Sequence, residues 1–203
     1  SDTNNFLFKK YFSKHIKKDY NSMAFTAMID HDYVKNNTAE QYFTGVGPLA
    51  FLPMSNNKTS IVFSVFDRDL IKDNAKIVKL IKHYNRLYNI KKISELQKFP
   101  INLSLSRNYF YRNILSFGDA LHKIHPLAGQ GFNMSIRDIR ELISLVKLRI
   151  DNGLDLNNSI CEDFEKNTKH KNYIFANSID FIYEAFNFES KLNTNILSRT
   201  LQM

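Results

Sequence analysis

Gly118-Asp119-Ala120-Leu121-His122-Lys123-Ile124-His125-Pro126-Leu127-Ala128-Gly129-Gln130-Gly131-Phe132-Asn133 is the stretch on which the fold of this chain turns. It follows a β-prone run, Asn113 to Phe117. It opens into Phe132 to Ile150, where Met134, Ile136, Ile139, Leu142, Ile143, Val146 and Ile150 recur at helical spacing. The order predicts a buried strand stopped by Gly118, then a loop, then a helix with one apolar stripe. Gly118 permits a sharp exit from the strand, and Asp119 presents a carboxylate there that can accept hydrogen bonds from sugar-type hydroxyls. Pro126 fixes the loop. Gly129 and Gly131 clear side chains from the backbone, which leaves N–H groups exposed at a helix N-terminus, a place that favours negative charge.

Upstream, Ala24 to Ile29, Ala39 to Phe43, Leu49 to Met54 and Ser60 to Phe66 are short β-prone runs. Their separators, Asp30-His31-Asp32, Thr44-Gly45-Val46-Gly47 and Ser55-Asn56-Asn57-Lys58, have turn composition, so an antiparallel sheet is expected. Ile77, Leu80, Ile81, Tyr84, Leu87 and Tyr88 predict a helix over Asn74 to Tyr88, packed on that sheet. Leu103 and Leu105, then Phe110 and Tyr111, read as strand. Phe8, Tyr11, Phe12 and Ile16 suit a surface helix or turn-rich connector over Phe6 to Tyr20. Downstream, Asn157 to Phe186 reads as helix with breaks and Glu189 to Leu201 as another. Sheet followed by helices gives a mixed α/β (α+β) class.

Composition removes several functions. Of 203 residues, 43% are hydrophobic and 17 are Phe, so the chain has the apolar surface for a core and is not disordered. Mean hydropathy is −0.35 and every apolar run falls far short of the ~20 residues of a membrane helix. Cys161 is the single cysteine, which excludes a disulfide framework and a thiolate metal cluster and fits a reducing compartment. Ser1 to Phe12 carry no secretory signal pattern. The net charge of +8 comes from scattered lysines without a basic helix or an RNA-binding aromatic signature, so no nucleic-acid partner is expected. His122 and His125 stand three apart with no third ligand nearby, so no metal is expected and both should pack in the loop, bonded to backbone.

Gly118-Asp119-Ala120-x-His122 followed by His125-Pro126-Leu127-Ala128-Gly129-Gln130-Gly131-x-Asn133 resembles the second flavin-binding motif of the flavoprotein aromatic hydroxylases, the p-hydroxybenzoate hydroxylase superfamily. Within it the pattern looks most like the ubiquinone-biosynthesis hydroxylases of the 2-octaprenyl-6-methoxyphenol hydroxylase type. Gly47-Pro48-Leu49-Ala50-Phe51-Leu52-Pro53-Met54 is similar to that family's GPLA-x-LP strand, and Phe99-Pro100-Ile101 to its aromatic-Pro-Leu element. Arg112 and Arg137-Asp138 stand where the family places such residues, and Ser1 to Asn5 look like a remnant of its Asp-Gly motif. Leu121, Ser135 and Thr168-Lys169-His170-Lys171 depart from the pattern. Gly45-Val46-Gly47-Pro48-Leu49-Ala50 has the spacing of a nucleotide-binding glycine loop, but Pro48 and the run behind it read as strand instead of helix. The family's N-terminal βαβ unit is therefore expected to be absent, and the chain resembles the later part of a longer enzyme.

The resemblance implies a p-hydroxybenzoate hydroxylase-like fold in four segments. These are a connector over 1–22, a substrate-binding sheet over 23–112, a second FAD motif of strand, loop and helix over 113–150, and C-terminal helices over 151–203. It implies FAD, held by Gly118, Asp119, Pro126, Gly129, Gln130, Gly131, Phe132 and Asn133. Asp119 would bind a ribityl hydroxyl, and the amides of Gly129 to Asn133 would face the N1 and C2 carbonyl edge of the flavin. A helix N-terminus contributes about 0.3 to 1 kcal/mol to charge on that edge, up to roughly 2, or at most some 40 mV. It implies a substrate wall containing Leu49, Phe51, Leu52 and Pro53. Read without the family, Asp119 is a cap or loop aspartate and those four are ordinary core.

The function implied is FAD-dependent hydroxylation of a polyprenylated phenol in ubiquinone biosynthesis, through a flavin C4a-hydroperoxide, with NAD(P)H or another electron donor and molecular oxygen. No catalytic side chain is assigned. A ubiquinone-biosynthesis protein complex and a cytoplasmic location peripheral to the inner membrane are expected with it. The 203 residues alone are expected to hold FAD poorly and to be inactive. The alternative is a non-catalytic binding or assembly module that keeps the substrate domain without a complete FAD site.

Overall fold

The structure, a computed structural model, describes residues 6–66, 69–126 and 129–191, without the side chains of 186, 187 and 189–191. In chain order the elements are α1 (Phe6–Tyr11), β1 (His15–His31), β2 (Glu40–Thr44), β3 (Gly47–Ser55), β4 (Lys58–Val65), a 3₁₀ turn (Leu70–Lys72) and α2 (Asn74–Tyr84). Then come β5 (Ile90–Ile93), β6 (Gln97–Ser106), β7 (Phe110–Tyr111), β8 (Ile114–Leu115), a 3₁₀ turn (Gly118–Ala120), β9 (His122–Lys123), α3 (Gln130–Asp151) and α4 (Ser159–Lys191). The class is mixed α/β with an antiparallel sheet, as the patterning predicts. The described residues divide into two compact units, a sheet unit of 19–101 and 183–191 and a loop-helix unit of 6–18 and 102–182.

In the sheet unit the strands run in the order β2-β3-β4-β1, all antiparallel, and β5 also pairs with β1. The register stacks side chains in rows: Phe25 and Leu49 both oppose Phe63, while Ala27 and Phe51 both oppose Ile61. Strand alternation places these residues on one face, and they are the buried core. α2 closes that face with Ile77 and Ile81, both fully buried, and starts where Asp73 accepts a hydrogen bond from the Lys76 amide at 3.0 Å. Gly47 is required by a close approach: its φ is +137°, and a Cβ there would stand 1.9 Å from the Ser64 carbonyl oxygen. The Gly45 to Ala50 segment is thus a hairpin turn leading into β3, as Pro48 predicts.

Several expectations change. The first helix ends at Tyr11, and Ile16, though it fits the helical period, lies in the 17-residue β1. The reason is pairing: the Arg107 amide donates to the Lys14 carbonyl at 2.8 Å, which commits the chain to extended backbone just before His15. β5, with sequence Ile-Lys-Lys-Ile, carries no alternation and forms because Ile29 to His31 offer it an edge. α2 stops at Tyr84. Tyr88 lies beyond it, and its hydroxyl donates to Asn36 at 2.8 Å.

Asn113 to Phe117 is not a buried strand. Only Ile114 and Leu115 pair, with β7, across a tight turn at Arg112 (φ +52°), and Ile114 is exposed. The α3 stripe is buried at Met134 but exposed at Ile139, Ile143 and Ile150. α4 runs 33 residues without the expected breaks, and Glu189 to Lys191 are its last turn. The rest of the helix expected to end at Leu201 lies outside the described residues, as do Ser1 to Asn5. Among the described residues no helix is long and apolar enough to cross a membrane.

Candidate functional site

The glycine stretch lies in the loop-helix unit. Gly118, at φ +62°, turns the chain into the 3₁₀ turn, which the Leu121 amide closes on the Gly118 carbonyl at 2.8 Å. A Cβ on Gly118 would lie 3.9 Å from Ser135 Oγ, so this turn rests on the first turns of α3. Asp119 is exposed there. β9 follows, pairing Leu105 with His122 and Ser104 with Lys123. The chain then passes half-buried Pro126 and reaches α3.

α3 opens on Gly129 in the left-handed conformation (φ 65°, ψ 22°), with no side-chain cap. The amides of Gln130, Gly131 and Phe132 have no acceptor within α3, and that of Asn133 is the first to meet one, the Gly129 carbonyl. Space lies open around Gly129, where an added Cβ would meet nothing within 4 Å, while one on Gly131 would touch Ile124 at 3.8 Å. Phe132 is 73% exposed, and Asn133 Nδ2 donates to Gln130 Oε1 at 3.4 Å. Ser135, standing in place of the family's glycine, donates to the Gly131 carbonyl at 3.3 Å. The structure therefore brings Gly118, Asp119 and Gly129 to Asn133 to one end of α3. Chemically this is a set of N–H donors on the positive end of a 22-residue helix, with a carboxylate acceptor on the turn packed against it. It suits a ligand with acceptor atoms along one edge and hydroxyls beside it.

A buried polar network behind the loop had no counterpart in the sequence reading. His122 bonds Asp138 through Nε2 at 2.6 Å instead of bonding backbone, and both side chains are fully enclosed. Asn172 of α4 donates to Asp138 Oδ2 at 3.2 Å and to the Tyr109 hydroxyl at 3.2 Å, while Arg137 donates to Asn172 Oδ1. Burial raises the Tyr109 phenol above its usual range, although the Asn172 bond opposes this. One signal was available: Asp138 follows Met134 by four on the buried side of α3, and a carboxylate there needs partners. His125 is also enclosed, and burial pushes its imidazole down to about 4 against a partial upward pull from Asp180.

The four residues read as a substrate wall do not share a face. Leu49 and Phe51 are fully buried in the core of the sheet unit, Leu52 is exposed on the other side of β3, and Pro53 is half-buried. Arg112 sits in the β7–β8 turn with its guanidinium 5.6 Å from the Tyr111 ring. A separate open groove of about 1010 Å³, lined by residues including Arg107, Phe110, Lys169 and Tyr173, shares no residue with the glycine stretch.

A family model described as an FAD binding domain matches residues 12–151. A ubiquinone biosynthesis monooxygenase COQ6 of Dictyostelium discoideum is 24% identical over 196 residues, covering 78% of this chain and 40% of its own length. The 3-demethoxyubiquinol 3-hydroxylase of Escherichia coli is 31% identical over 155 residues, covering 72% of this chain and 39% of its own. The chain thus spans about two-fifths of the length of these curated relatives. Among solved structures, the probable FAD-dependent monooxygenase pqsL of Pseudomonas aeruginosa aligns with a TM-score of 0.67 at 17% identity, over 93% of this chain and 54% of that one. The p-nitrophenol 4-monooxygenase PnpA of Pseudomonas putida aligns with a TM-score of 0.68 at 12% identity, over 98% of this chain and 51% of that one. At these identities the structures establish the fold.

Proposed function

The chain belongs to the FAD binding domain family, and on that premise we propose that it supplies the second flavin motif and the substrate-side sheet of an FAD-dependent monooxygenase. The reaction proposed is hydroxylation of a polyprenylated phenol in ubiquinone biosynthesis, the process named for its relatives. The observation that carries the flavin site is the uncapped, left-handed Gly129 start of α3 beside the turn that holds Asp119. The donor set fits FAD. Asp119 would accept a hydrogen bond from a ribityl hydroxyl, and the amides of Gln130, Gly131 and Phe132, with Asn133 beside them, would hold the carbonyl edge of the ring. Gly118 and Gly129 carry no side chain to fill the space at that end of α3, and Pro126 restricts the loop before it.

When bound, FAD supplies the redox and oxygen-activating chemistry that no side chain of this chain can perform. The positive end of α3 favours negative charge on the ring edge by about 0.3 to 1 kcal/mol. On the substrate side, segment 23–112 forms the wall. Leu52 is its contact residue, and Leu49, Phe51 and Pro53 back it from the opposite face of β3. NAD(P)H or another donor, molecular oxygen, a biosynthetic protein complex and peripheral attachment to the inner membrane complete the proposal.

Two measurements test it. The complete protein, titrated with FAD, should turn yellow and quench flavin fluorescence, and Asp119→Ala should weaken that binding by about tenfold, the order for a lost charge-assisted hydrogen bond. Incubated with a prenylated phenol, a pyridine nucleotide and oxygen, it should yield a product heavier by one oxygen in mass spectrometry. A protein that stays colourless in excess FAD refutes the flavin site. Turnover of soluble phenols alone refutes the prenyl substrate.

A further inference from the structure

The loop that carries Pro126 and Gly129 joins β9 to α3, and side chains of those two elements are bonded to each other. His122 Nε2 and Asp138 Oδ2 are 2.6 Å apart and 16 residues apart in sequence, both with fully buried side chains. A carboxylate out of water persists only when its lone pairs are taken, and here the donors come from separate elements. His122 belongs to β9, directly after the turn that holds Asp119. Asn172 belongs to α4 and reaches Asp138 at 3.2 Å and 3.4 Å, then Tyr109 at 3.2 Å. None of the four side chains is at the N-terminus of α3.

Apolar contacts tolerate sliding, whereas a short charge-assisted hydrogen bond has one good geometry. We propose that His122 and Asp138, backed by Asn172 and Tyr109, are positioning residues of the flavin site. Their bond ties β9 to α3 and so sets where the Gln130 to Phe132 amides stand relative to the Asp119 carboxylate. This rests on the flavin reading above. His122 Nε2 holds one carboxylate oxygen of Asp138, and Asn172, held also by Arg137, keeps the carboxylate from turning.

The test uses the complete protein and three readouts: FAD dissociation constant, visible circular dichroism of flavin at saturating FAD, and melting temperature. Asp138→Asn is nearly isosteric but turns an amide donor toward a donor. It should weaken FAD by about tenfold or more, the order for a displaced supporting contact, and change the dichroism of the bound flavin. Tyr109→Phe removes a single hydroxyl at the far end of the network and should move both readouts the same way by less. A purely structural role would lower the melting temperature and leave both flavin readouts as in the wild type. If Asp138→Asn folds with wild-type flavin affinity and dichroism, the proposal is overturned while the flavin site stands. If Asp138→Asn does not fold, an unchanged Tyr109→Phe overturns the proposal and a shifted one supports it. A wild-type protein that binds no FAD removes the flavin reading and this proposal together.

Discussion

At the scale of single residues, His125 makes stability depend on pH. Its folded value, about 4, lies below the ordinary 6.5, so the unfolded chain takes up a proton that the folded chain refuses. The stabilisation is fully present above pH 6.5 and is lost as pH falls toward 4. Across that window it amounts to on the order of 3 kcal/mol. Urea denaturation at pH 7 and pH 4.5 should show His125→Asn losing less stability on acidification than the wild type. An equal loss would assign the acid sensitivity to other groups. Gly47 offers a second check, because an alanine there would press a methyl 1.9 Å from the Ser64 carbonyl oxygen at a φ of +137°. Gly47→Ala should cost about 3 kcal/mol or prevent folding, whereas Gly45→Ala, with nothing within 4 Å, should stay within about 1 kcal/mol. Similar denaturation midpoints for the two variants would contradict this strand register.

At the scale of elements, α3 separates stability from binding. Gly131 is helical, and the methyl of Gly131→Ala would meet only Ile124 at an ordinary 3.8 Å. The gain in helix propensity, about 1 kcal/mol, should raise the melting temperature, while the same methyl intrudes on the amide edge and weakens FAD. A variant that is more stable and binds FAD as the wild type does would remove Gly131 from the site. The elements also show what patterning can and cannot carry. β3, β4, α2 and α3 are legible because each holds an apolar period within its own run. β5 is not, since Ile90-Lys91-Lys92-Ile93 becomes strand only through Ile29 to His31. The start of β1 is not legible either, because Phe8, Tyr11, Phe12 and Ile16 satisfy a helical period that pairing overrides.

At the scale of the whole molecule, a ligand that binds only the folded state must stabilise it. The melting temperature of the complete protein should therefore climb with FAD, by about 2.7 kcal/mol of stability at a hundredfold excess over the dissociation constant. A melting temperature independent of FAD would leave the uncapped start of α3 without the ligand proposed for it. What the sequence by itself determined is the class, the antiparallel runs, and the glycine loop with Asp119 before it. Those depend on local requirements, a side-chain period or a backbone that only glycine adopts freely, and these are written within a few neighbouring residues. Tertiary structure alone decided that Leu52 stands on the face opposite Leu49 and Phe51, that α3 leaves much of its stripe uncovered, and that His122 meets Asp138 with Asn172 and Tyr109 behind them. Those outcomes depend on which distant residues come to lie within a few ångströms, and no local pattern records that.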